Sequence, residues 1–222
     1  MFDDPSPPGP DRLAALAMYR RRARIYDAEL ALFEPIRRAA IAKLCLRAGD
    51  TVFDVGCGTG LSFAALAEAV GPAGTVVGIE QSPDMLARAR ERLAKCTLPS
   101  RTMLLEAPVE AAPIAIQADA ALFHFTHDIL RCPEAIANVL AWLRPGARVV
   151  ATGLKWAGPW AWPVNFFVLP AALHSVTSFE GLVAPWSHLG QQLDALAVEP
   201  MLMGGAYMAS GCRGESGGVQ RV

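Results

Sequence analysis

"TVFDVGCGTGLSFAALAEAV", residues 51–70, sets three glycines on alternate positions, Gly56, Gly58 and Gly60, between an apolar, β-rich run and an amphipathic helical one. Strand, tight turn and helix in that order mark the place where a parallel α/β sheet receives its ligand. The spacing is GxGxG, and Leu61 stands where a dinucleotide fingerprint needs its third small residue, which disfavours a nicotinamide site. No Lys-Ser/Thr pair follows the glycines, so a P-loop is excluded. Asp54 ends the strand two residues before Gly56, where a carboxylate repels a pyrophosphate but suits an ammonium group. Glu80 ends the next apolar run, "TVVGIE", at the distance where an acidic side chain grips a ribose diol.

A ligand with a ribose, a cation and no phosphate is therefore implied, and S-adenosylmethionine has all three. The surrounding pattern repeats the motif of strand and helix. "SPDMLARARERLAKC" reads as a helix with Ser82 as its N-cap and Pro83 at the first helical position. "RTMLLEA" and "ADAALFHF" read as further strands, "CPEAIANVLAWL" as a helix, "RPGA" as a turn and "RVVATG" as a fifth strand. Apolar runs alternating with amphipathic helices predict a doubly wound α/β domain. Residues 1–10, with four prolines, predict a disordered leader, and a helical pattern follows from Asp11 to about Leu46, with Pro35 dividing it in two. "LAVEPMLMGGAYMASG" reads as a final antiparallel pair, so residues 11–210 form one domain and 211–222 a flexible tail.

The chain has 222 residues, 53% of them hydrophobic, and a formal net charge of -1, a balance that does not suit coating a nucleic acid. Its apolar stretches are broken by proline and fall short of the ~20 residues of a membrane span. The N-terminus is acidic and proline-rich rather than basic then apolar, which makes the cytoplasm the expected location. Five cysteines, at 45, 57, 96, 132 and 212, form no CxxC pair or zinc spacing, so no metal is expected.

"VFDVGCGTG", then "VVGIEQSPDMLARAR" and later "VLAWLRPGARVVATG", resemble the class I S-adenosylmethionine-dependent methyltransferases, in particular the small-molecule branch with the quinone-biosynthesis enzymes. The resemblance covers residues 20 to 153. It implies a seven-stranded, mostly parallel sheet with N-terminal helices and an aromatic-rich insertion before the last hairpin. It also implies that Asp54, Gly56, Cys57, Gly58 and Gly60 hold the methionine moiety, that Glu80 takes the ribose, and that Gln81 and Met85 lie beside the adenine. Phe123 joins them at the end of the fourth strand. At the end of the third strand the family's acidic adenine contact falls on Glu106 or Ala107, with backbone groups around Ala107 preferred. Cys57 reads as a small side chain that tolerates a crowded loop.

On the acceptor side, "LFHFTHDILR" offers His124, His127 and Asp128. His127 reads as a base or as a packing and hydrogen-bonding residue, and Tyr26 as a residue closing over the cofactor or as a buried helix tyrosine. No NPPY-type tetrapeptide follows the fourth strand, and Cys132 precedes Pro133, the reverse of the cytosine-methylating order. Residues 154–188 hold Trp156, Trp160, Trp162 and Trp186 with Phe166, Phe167 and Phe179, an expected lid over a hydrophobic or aromatic acceptor, or else a homodimer contact or plain core filling. The arginines at 19–24 read as a solvated face or a peripheral lipid contact. The expected activity is methyl transfer to a small apolar molecule. The alternatives are a non-catalytic S-adenosylmethionine-binding protein and an NAD-dependent oxidoreductase.

Overall fold

The computed structural model describes residues 33–157, 165 and 182–214. The expected leader, Tyr26, most of the aromatic insertion and residues 215–222 lie outside the described residues. Helix α1 spans Glu34–Lys43, with Pro35 in its first turn, where the missing amide N–H costs nothing. Strand β1 (Thr51–Val55) leads into α2 (Phe63–Val70), and β2 (Thr75–Glu80) into α3 (Pro83–Ala94). Ser82 caps α3 as the sequence predicts, its Oγ accepting from Met85 N at 3.4 Å. Then come β3 (Arg101–Glu106), β4 (Ala118–His124), the short α4 (His127–Leu130), α5 (Pro133–Ala141), β5 (Leu143–Leu154), α6 (Ser187–Gly190), β6 (Leu193–Met201) and β7 (Ala206–Arg213).

The strands form one seven-stranded sheet in the order β3-β2-β1-β4-β5-β7-β6. Only β7 runs antiparallel to its neighbours. The chain's direction of travel across the sheet reverses between β1 and β4, which opens a crevice at their carboxyl ends. Alternation along β1 sorts its side chains between the two faces. Phe53 and Val55 join Ile136, Val139 and Leu140 of α5. Val52 joins Ile41 and Leu44 of α1, Leu66 and Val70 of α2 and Leu86 of α3. Asp54 therefore falls on the α1 side.

Two expected boundaries shift. The "RPGA" turn is a bulge within β5: Ala118 pairs with Leu143 but Ala120 already with Arg148, and Gly146 at φ 76° absorbs the surplus residues. Gly211, Cys212 and Arg213, expected in the tail, instead continue β7. Cys212 pairs with Arg148 and Arg213 with Leu193, so both edges of that segment are hydrogen-bonded. No helix among the described residues is long and apolar enough to cross a membrane.

The turn after β1 touches the segment after β4 through Gly56. It stands at φ 70°, and a Cβ there would lie 2.6 Å from Thr126 Cγ2 and 2.7 Å from Ile129 Cδ1. Gly56→Ala combines a left-handed backbone with that overlap, and is expected to destabilise by about 2–4 kcal/mol. Thermal unfolding checks this, and an unchanged Tm would mean that the two loops are not packed as described.

Candidate functional site

The glycine turn hangs from the end of β2. Gly56 N and Cys57 N donate to Ile79 O at 2.8 and 3.0 Å, while Gly58 N donates to Glu80 Oε2 at 3.0 Å. Glu80 Oε1 accepts from Ser82 N at 2.8 Å, so one buried carboxylate fastens both the turn and the start of α3. Arg92 of α3 closes the other side, its Nε donating to Thr59 O at 3.0 Å. Burial raises the pKa of Glu80, and the N–H groups of Ser82, Gly58 and Gln81 oppose that shift.

A cleft opens beside this turn, lined by Arg37, Asp54, Gly56, Cys57, Gly58, Thr59, Leu61, Ser62 and His124. It brings together four of the residues predicted to hold a cofactor. Glu80 is second to them, behind the turn. Met85 is 1% exposed beneath the start of α3, and Phe123 is wholly buried in the core with Val55, so both side chains serve packing. Ala107 N is committed to Glu80 O at 3.1 Å, and Glu106 pairs with Arg90 at the surface. Cys57 is buried with its thiol pushed up by burial, which suits a filler and not a nucleophile. His127 is 8% exposed at the start of α4, where Asp128 is half-buried. Neither lines the cleft.

Sequence reasoning missed Arg37. It is 2% exposed, its Nη1 pairs with Glu34, and its Nε and Nη2 are buried without a hydrogen-bond partner. Those two nitrogens form the side-on fork that takes a carboxylate through two parallel N–H bonds. Asp54 is 2% exposed, and its Oδ2 has no partner either. The cleft thus holds a buried cation and a buried anion that do not satisfy each other. Burial raises the Asp54 pKa from 3.8 to about 7, the Arg37 charge opposing the shift and Glu80 adding to it. Burial and Arg37 together push His124 down to about 3, so its ring is neutral. Among the described residues no cluster of three or more His, Cys, Asp or Glu is placed to hold a metal.

Residues 52–146 match the model of a family described as "Methyltransferase domain". The chain is 27% identical over 201 residues to 2-phytyl-1,4-naphtoquinone methyltransferase of Thermosynechococcus vestitus, covering 84% of this chain and 85% of that protein. It is 32% identical over 144 residues to Nocamycin O-methyltransferase of Saccharothrix syringae, covering 61% of this chain and 49% of that one. The chain spans about half or less of several other curated relatives it matches: the match covers 44% of protein-L-isoaspartate O-methyltransferase of Ignicoccus hospitalis. Among solved structures, N-methyltransferase NodS from Bradyrhizobium japonicum, in complex with S-adenosyl-L-homocysteine, superposes with a TM-score of 0.57 at 16% identity, covering 82% of this chain and 87% of that one. That likeness is one of fold.

An aspartate whose folded pKa is lifted from 3.8 to about 7 binds its proton more tightly in the folded state than in the unfolded one. Its contribution therefore favours folding below pH 4, and is lost as the pH rises to 7 and beyond. Asp54→Asn is expected to raise Tm at pH 8 by at least about 2–4 °C, with the gain shrinking as the pH falls towards 4. A gain equal at both pH values would contradict a buried, costly carboxylate.

Proposed function

We propose that this chain belongs to the class I S-adenosylmethionine-dependent methyltransferases, binds S-adenosylmethionine at the glycine turn and methylates a small hydrophobic or aromatic molecule. The observation that carries this reading is the pair of unsatisfied opposite charges in one cleft. Asp54 Oδ2 suits the ammonium of a methionine moiety, and the Nε and Nη2 fork of Arg37 suits its carboxylate. Buried polar atoms without a hydrogen-bond partner are costly, and an α-amino acid group satisfies those of both residues at once. The donor set thus fits this cofactor and fits a pyrophosphate poorly.

Gly56, Gly58 and Gly60 keep the turn free of side chains beside that moiety. Glu80, whose two oxygens each accept one N–H, has lone pairs left for a ribose diol. Gln81 and Ala107 would lie beside the adenine, with the buried Met85 and Phe123 supporting that wall from within. S-adenosylmethionine supplies a methyl group on a sulfonium, ready for in-line displacement. What the chain contributes is alignment and a dry site. On the acceptor side we read His127 and Asp128 as shaping the start of α4. An apolar acceptor is supported by the cluster of Leu154 and Leu182 with Phe33, Phe125 and Trp156, and by a naphthoquinone-methylating relative.

Calorimetry with S-adenosylmethionine, S-adenosylhomocysteine and NADH in parallel tests the reading. Binding of the first two alone is expected, and binding of NADH alone, or of none, overturns it. Glu80→Ala should weaken both by roughly tenfold or more. Wild type should prefer S-adenosylmethionine to its decarboxylated counterpart, a preference that Arg37→Gln is expected to abolish. Affinity for S-adenosylhomocysteine should rise with pH through 7 as Asp54 ionises, and Asp54→Asn should flatten that rise.

A further inference from the structure

We propose that His124, held by Thr152, touches the methyl acceptor and receives the proton of an aromatic hydroxyl group on it. The proposal rests on the methyltransferase reading above. His124 is the last residue of β4 and pairs in register with Thr152 of β5. Its Nδ1 lies 2.7 Å from Thr152 Oγ1, while Nε2 is buried without a partner in a residue that lines the cleft with Asp54 and Arg37.

The surroundings of that ring describe an aromatic guest. Phe125 meets His124 edge-on, with centroids 4.8 Å apart, and Phe33 packs against Phe125 in a tilted arrangement at 4.7 Å. Leu154, Leu182 and Trp156 complete the apolar wall. Phe125 stands at φ 58°, a conformation that costs a bulky residue about 1–2 kcal/mol, and its N–H donates to Thr152 O at 2.8 Å. Thr152 therefore fixes both the ring that offers a polar atom and the ring that offers a flat apolar face. A phenol presents the same two features side by side.

With Nδ1–H donating to Thr152 Oγ1, Nε2 carries the lone pair. Arg37 from α1 and Asp54 from β1 are the charged groups that share its cleft, and His127 and Asp128 follow it on α4. A neutral imidazole of low basicity suffices, because a hydroxyl proton becomes strongly acidic as its oxygen gives an electron pair to carbon. The oxygen's pair forms the bond to the methyl carbon, the carbon–sulfur pair stays on sulfur, and the proton passes to Nε2 and on to water. The charge lost from the sulfonium reappears on the imidazole, so the cleft's net charge is unchanged through the transfer.

The test uses the whole chain with S-adenosylhomocysteine, nitrogen-detected NMR of the imidazole, and 1-naphthol as the phenolic probe. Expected are a neutral Nδ1–H form from pH 5 to 8 and an Nε2 resonance that moves on adding 1-naphthol. Binding of 1-naphthol should be roughly three- to tenfold weaker in His124→Ala. Thr152→Val should lose the single tautomer and Thr152→Ser should restore it. That pair decides the matter should His124→Ala fail to fold. A ring titrating near the usual 6.5, an unmoved Nε2, or 1-naphthol affinity that is absent or insensitive to His124 overturns the proposal. Failure to bind S-adenosylhomocysteine is read separately by calorimetry and removes the methyltransferase reading instead.

Discussion

The Glu80 carboxylate is the constraint on which the site depends. Its two oxygens accept Gly58 N–H from the turn after β1 and Ser82 N–H from the start of α3. A glycine turn with three positive-φ residues, Gly56, Gly58 and Gly60, has many conformations open to it in isolation. One buried anion that receives its amide selects among them, and the same anion aligns α3, whose Arg92 then holds Thr59 O from the far side. The turn is thus positioned by its neighbours in the sheet, β2 above all, and leaves its own inner surface open to a ligand.

Opposite that surface the molecule carries a cost. The buried Arg37 and Asp54 and the half-buried His124 carry buried polar atoms that find no partner in the protein. Each buried polar atom left without a partner weakens a fold by about 1–3 kcal/mol, so several of them within one cleft would be poor design for stability alone. Their placement follows from the packing. Alternation in β1 sends Asp54 to the α1 face, and Arg37 lies on the side of α1 that packs there. The anchor at Glu34 holds the guanidinium by Nη1 and leaves the fork of Nε and Nη2 clear.

Much of this was legible in the sequence. Spacing identified the turn, Asp54 and Glu80, and periodicity identified the alternation of strands and helices. Arg37 was legible in principle: Arg37, Ala40, Ile41 and Leu44 follow i, i+3, i+4, i+7, a buried stripe headed by a charge. A cation at a core position is a stronger signal than the exposed-looking arginines at 19–24. The part played by Thr152 was not legible, because it depends on the β4–β5 register, and the bulge at Arg144–Gly146 sets that register. The continuation of β7 to Arg213 was hidden for the same kind of reason. "CRG" looks like a tail until two strands are known to flank it.

The two sides of the crevice differ in a way that matches the chemistry asked of them. At the end of β1 the unsatisfied atoms belong to charged groups, and they suit a zwitterion that must be held while its sulfonium is consumed. At the end of β4 the corresponding atom belongs to an imidazole kept neutral by burial and by Arg37, set against Phe125 and Phe33. A charged base there would repel a sulfonium approaching from β1, whereas a neutral one does not and becomes cationic only as the sulfonium disappears. Under the proposed reaction, methyl transfer across the β1–β4 crevice would move one positive charge by a short distance within a low-dielectric site, neither creating nor destroying charge. The fixed Arg37 disfavours a proton on His124 before that moment, which would tie proton release to the transfer itself.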